Sequence, residues 1–143
     1  MYVQDQVERT IQKYKTTDPY AIASAKNIAI LYSNLGENLD VRGLYQCYKR
    51  KEIIHINADL DEESQRAVLA HELGHAIMHK GYNCIFLSNN TMNKNIYERQ
   101  ANLFAAFLLL HDQIPADMKN HCFREIAQMY HVPIEEIVKN WRG

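Results

Sequence analysis

The stretch His71-Glu72-Leu73-Gly74-His75 carries the side chains of this chain with the clearest capacity for chemistry. On an α-helix, positions four apart lie on one face, a turn above one another, so both imidazoles can reach a single ion. Glu72 sits one position round the helix, where its carboxylate can hold a water beside that ion and take its proton. Zinc supplies the matching chemistry. It lowers the pKa of such a water toward neutrality and polarises a carbonyl, as amide hydrolysis requires.

Two histidines leave a catalytic zinc site incomplete, because three protein ligands plus water are usual. The pattern HExxHxxGxxH would need Gly at position 78 and His at 81, whereas the chain has Met78 and Gly81. His79 follows His75 by one turn but stands roughly 12 Å along the axis from His71, at about 1.5 Å per residue. An unbroken helix cannot bring both to one ion when zinc–nitrogen bonds are about 2 Å. Its place near the helix end predicts instead a cationic imidazole favoured by the dipole. Glu98 is the better third donor. In Tyr97-Glu98-Arg99-Gln100-Ala101-Asn102, the residues Glu98, Ala101, Asn102 and Ala105 share a face, and the small alanines allow close approach to the HExxH helix. Asn102, one turn after Glu98, can accept a proton from the outer nitrogen of a ligating His and so fix its tautomer. Two neutral imidazoles and one carboxylate leave a divalent ion at a formal +1, which preserves the acidity of a water on it.

HExxH followed at this distance by ExxxN resembles the thermolysin-like zinc peptidases, in which ExxxD supplies the third ligand. More specifically, Ala70 to Ala76 and Glu98-Arg99-Gln100-Ala101-Asn102-Leu103-Phe104-Ala105-Ala106 resemble the ImmA/IrrE family of bacterial and phage metallopeptidases. The resemblance covers about residues 45 to 115 and takes in Ile54-His55-Ile56-Asn57 and the acidic helix start Asp59 to Arg66. It implies His71, His75 and Glu98 as zinc ligands, Glu72 as catalytic base, and a zincin-like fold. It also implies, as substrate, a helix-turn-helix repressor of a prophage or mobile element. Two departures bear on substrate selection. Phe107 stands where the family commonly has a polar residue, and His111-Asp112 replaces the proline that usually follows the Leu-Leu pair.

The elements that must hold these residues follow from periodicity. Val3, Val7, Ile11 and Tyr14 predict a helix over Tyr2 to Lys15; Asp18-Pro19 starts a second, whose pattern (Ile22, Ala25, Ala29, Tyr32) runs to Gly36. Leu44 to Tyr48 and Ile53 to Ile56 read as strands around the charged turn Lys49-Arg50-Lys51-Glu52, and Leu39 to Val41 adds a third antiparallel strand. Asp59 or Asp61 caps the HExxH helix, with Glu62 and Glu63 in its first turn. Leu69, Leu73, Ala76 and Ile77 form its buried stripe, and Gly74 permits close packing. Residues 82 to 94 read as a loop beside the site, Ile96 to Leu110 as a strong helix, and 118 to 130 and 134 to 141 as short closing helices. The expected fold class is α+β, mostly helical, with a small three-stranded antiparallel sheet packed on the HExxH helix. One domain spans 1–143: N-terminal helices in 1–36, sheet and active-site helices in 37–115, C-terminal helices in 116–143.

Composition narrows the function further. With 143 residues, 47% hydrophobic and 23% charged, the chain fits one globular domain. A net charge of −1, with scattered cations, gives no case for direct nucleic-acid binding. No apolar run is long enough for a membrane span, and the N-terminus lacks signal-peptide features. Three cysteines without CxxC spacing fit a reducing compartment, with cytoplasm as the expected location. His55, His121 and His131 read as structural or surface side chains. His111, Tyr97 and Tyr82 are open alternatives for an extra electrophile. Cys84 reads as a small hydrophobe that could also reach the metal. The expected activity is that of a zinc endopeptidase with one Zn2+ and a protein substrate presented as an added strand. The alternative is a non-catalytic module on the same scaffold, regulating a transcription factor by contact alone.

Overall fold

The computed structural model describes residues 2–34, 41–80, 84–87 (main chain only) and 96–111. Expectations for Gly36, Gly81, Tyr82, the Cys84 side chain, His121, His131 and the two closing helices lie outside that set. The described elements run α1 (Tyr2–Tyr14), α2 (Pro19–Ala25), β1 (Ala29–Ser33), β2 (Val41–Tyr48), β3 (Lys51–Asn57), α3 (Glu62–Met78), β4 (Cys84–Leu87) and α4 (Ile96–Leu109).

The sheet differs from the expected one. Among the described residues it has four strands in the order β1-β3-β2-β4, and it is mixed: β1 runs parallel to β3, while β2 is antiparallel to both β3 and β4. The second helix stops at Ala25, and the residues expected to continue it form β1 instead. Asn27, at φ 59°, makes the break; asparagine tolerates this left-handed backbone better than most residues. Ala29 to Ser33 then pair with Ile53 to Asn57, a partner some two dozen positions later that local spacing cannot reveal. Val41 belongs to β2 rather than to a separate strand. The turn between β2 and β3 is only Lys49-Arg50, with φ of 49° and 69°. Positive values at both central residues match the right-handed twist of a tight hairpin.

α3 starts where Asp61 Oδ1 accepts from the Ser64 amide at 2.7 Å, with Glu62 and Glu63 facing the positive end of the helix. Arg66 pairs with Asp18, the cap of α2, at 3.3 Å. The helix is not amphipathic: every residue from Ala67 to Ala76 is buried, as expected of a helix covered on all sides. One side meets the sheet, where Tyr45, Ile54 and Ile56 join Val68, Leu69 and Leu73 in the core. Its other side meets α4, of which Leu103 to Leu109 are buried.

Two glycines allow these close approaches. A Cβ on Gly43 would stand 2.5 Å from Val68 Cγ1, so β2 passes α3 only without a side chain there. A Cβ on Gly74 would meet Phe104 Cβ at 3.1 Å and Ala101 Cα at 3.2 Å, which sets the spacing of α3 and α4. Among the described residues, no helix is long and apolar enough to cross a membrane.

Candidate metal centre

α3 and α4 bring the predicted donors into one buried cluster. The ligand atoms of His71, His75 and Glu98 all lie within 4.8 Å of one another. Glu98 faces both imidazoles at once: its Oε2 is 2.9 Å from His71 Nε2 and its Oε1 is 3.0 Å from His75 Nε2. On the outer side of His71, Nδ1 stands 2.8 Å from Asn102 Oδ1. The Asn102 oxygen can only accept, so Nδ1 carries a proton, and Nε2 is the ring atom turned to Glu98.

The donor set tests the fit to a cation. His71 Nε2 meets Glu98 Oε2 at 2.9 Å, the contact an ion would replace when the imidazole ligates through that atom. His75 Nε2, close to Glu98 Oε1, makes no hydrogen bond among the described residues. Donors about 2.0–2.1 Å from a tetrahedral zinc stand roughly 3.3 Å apart, close to these separations. The residues fit a divalent ion held by two imidazoles and one carboxylate.

The electrostatics agree with that arrangement. Burial works to raise the Glu98 pKa, but the two imidazoles beside it, His71 first and then His75, outweigh it and hold the carboxyl far below its usual range. Burial lowers the pKa of His75, with the neighbouring His71 adding to the effect and Glu98 opposing it. A neutral imidazole is the form that can ligate.

Glu72 stands apart from the cluster. It is fully buried, and neither carboxylate oxygen has a hydrogen-bond partner among the described residues. Burial first, and then the charge of Glu98, push its pKa well above the ordinary 4.5. A carboxyl in such surroundings holds its proton to a higher pH than an ordinary one, the direction of shift that general acid–base work uses. An isolated buried carboxylate is costly, so its persistence here has to be matched by a nearby cation or by chemistry.

His79 departs from expectation. It caps α3, its amide donating to the His75 carbonyl at 2.7 Å. Its ring does not reach the ion-binding atoms but lies over Tyr97, centroids 4.2 Å apart. Burial lowers its pKa, so the expected cation is a neutral ring instead. α4 supplies the cover that the local sequence around His79 does not reveal. The remaining alternatives separate too: His111 pairs with Glu8 of α1 at 2.9 Å, Tyr97 is stacked on His79, and His55 bonds Gln46 on the sheet.

Comparison with known proteins agrees with this geometry. The IrrE N-terminal-like domain matches residues 23–142. The chain is 40% identical over 132 residues to immunity region protein 2 of Bacillus phage phi105, covering 90% of this chain and 82% of that one. It is 33% identical over 138 residues to Metallopeptidase ImmA of Bacillus subtilis strain 168, covering 92% of this chain and 79% of the relative. A domain match across most of the chain and two near-full-length relatives place this protein in the ImmA/IrrE family of metallopeptidases.

Proposed function

We propose that the protein is a zinc-dependent endopeptidase, a single zincin-like unit that hydrolyses a peptide bond in a regulatory protein. The observation that carries this reading is the presence of two buried carboxylates with opposite surroundings. Glu98 is held ionised against two imidazoles, while Glu72 is buried with no hydrogen-bond partner among the described residues. His71, His75 and Glu98 are the proposed ligands of one zinc ion, and Glu72 is the proposed base. When bound, zinc contributes Lewis acidity, which acidifies a water and polarises the scissile carbonyl.

The chain's own residues do the rest. Asn102 keeps the His71 proton on Nδ1, leaving Nε2 free to ligate. Glu72 takes a proton from the attacking water as the carbon–oxygen bond forms. It then gives that proton to the departing amine as the carbon–nitrogen bond breaks. Its raised pKa suits both steps. Gly43 leaves the β2 backbone alongside Glu72: even its absent Cβ would stand only 3.4 Å from Glu72 Oε1. An extended substrate segment can join the sheet as a further strand.

The substrate class proposed is a helix-turn-helix repressor of a prophage or mobile element. Family membership supports it, as does the name of the phage relative, which refers to an immunity region. The test is incubation of a co-encoded repressor with wild type and Glu72→Gln in the presence of zinc. Cleavage by wild type alone is expected. Equal cleavage by both removes the mechanism; loss of cleavage with repression control intact in Glu72→Gln favours a contact-only regulator.

A further inference from the structure

His75 Nδ1 lies 3.0 Å from His79 Nδ1, and His79 Nε2 lies 2.7 Å from Gln100 Oε1. The three side chains form a line running from the metal-facing imidazole out to α4. His79 is 8% exposed and its ring is stacked on Tyr97, which holds it against α4.

The proton positions along this line are linked. Gln100 Oε1 has no proton to give, so His79 Nε2 must donate to it. A neutral His79 is then bare at Nδ1 and accepts from His75 Nδ1–H. With its proton on Nδ1, His75 presents a bare Nε2 toward Glu98. The reverse order, in which Gln100 donates through its amide, puts a proton on His79 Nδ1 and another on His75 Nε2. That order closes His75 to any ion.

We propose that His79, oriented by Gln100, is a positioning residue that sets the tautomer of His75 and so prepares the second imidazole for metal. It performs for His75 what Asn102 performs for His71. The two histidines of one motif are therefore prepared by different means: one by an amide from α4 directly, the other by a third histidine of its own helix braced from α4. The inference rests on the metal-centre reading above.

Two measurements test it. Two-bond proton–nitrogen NMR of the metal-free wild type reads the tautomers directly. The expected spectrum has His79 protonated on Nε2 and His75 on Nδ1; a proton on His79 Nδ1 overturns the proposal. Zinc affinity by chelator competition is the second. His79→Phe keeps a ring over Tyr97 but removes both hydrogen bonds, and should weaken zinc binding about 10- to 100-fold. His79→Asn restores an acceptor near the place of Nδ1 and should recover most of that loss. A folded His79→Phe that binds zinc as tightly as wild type, or a folded His79→Asn as weak as His79→Phe, shows the ring to be packing alone. If wild-type zinc binding is no tighter than that of His71→Ala, the metal-centre reading itself fails, a result distinct from either.

Discussion

The two sides of α3 are built from opposite materials. Toward the sheet, Val68, Leu69 and Leu73 pack with Tyr45, Ile54 and Ile56, all of them completely buried. Toward α4, the same helix buries His71 and His75 against Glu98 and Asn102, and it buries Glu72 beside Gly43 of β2. The apolar side gains free energy from every group it removes from water. The polar side loses free energy on burial and recovers it only through hydrogen bonds or a bound cation. Stability and chemistry thus rest on different side chains of one helix, and changes to either set should be separable.

Glu98→Ala should have the largest effect. It removes the only carboxylate of the three-residue cluster, so zinc content by metal analysis and repressor cleavage should both fall to background. Retained zinc would show that the polar side is not organised around Glu98. Glu72→Gln comes next, lowering the cleavage rate by about 10²- to 10⁴-fold while zinc remains bound. In chelated protein the same substitution should raise stability. Unfolded Glu72 loses its proton near the ordinary 4.5, whereas the folded carboxyl holds it to a higher pH. Across that window the native state binds more protons, so wild-type stability from this group falls as pH rises. The difference in melting temperature between Glu72→Gln and wild type should therefore widen from pH 4.5 upward, as read by thermal denaturation in a chelator. A constant difference would mean that burial of this carboxyl costs nothing.

Leu73→Ala probes the apolar set. Truncating a fully buried leucine costs about 2–5 kcal/mol of stability, measurable by urea unfolding. Zinc affinity, measured well below the melting temperature, should change little. A large loss of affinity would break the separation of the two sets.

How much of this was visible in the sequence differs between the same two regions. The polar side depends on spacings within single helices: four between His71 and His75, four between Glu98 and Asn102. Helical geometry converts such spacings into shared faces without knowledge of any partner. β1 was hidden because Ala25, Ala29 and Tyr32 satisfy a helical period, while Ala29 to Ser33 equally suits a strand. Only pairing with β3 decides between them. His79 departs from its local sequence signal for a related reason. The helix dipole is a local property and favours a cation there, but Tyr97 and Gln100 arrive from α4 to bury the ring.

Gly74 lies where the two sides of α3 are least independent. It sits within the HExxH motif, yet its role is one of packing: Ala101 and Phe104 of α4 approach to the distance at which a methyl would touch them. Gly74→Ala should gain helix propensity, about 1 kcal/mol in an open helix. Against that gain, Phe104 Cβ and the Ala101 backbone would have to yield by a few tenths of an ångström, and neither belongs to a flexible side-chain end. Overpacking of this kind costs about 1–3 kcal/mol, so the net change in stability should be small. The displacement of α4 would matter more, because it carries Glu98 away from His71 and His75. Zinc affinity should therefore fall while urea unfolding of the metal-free protein shifts little. Unchanged affinity would show that α4 can slide on α3 without disturbing the ligands, and that the spacing set by Gly74 serves the fold alone.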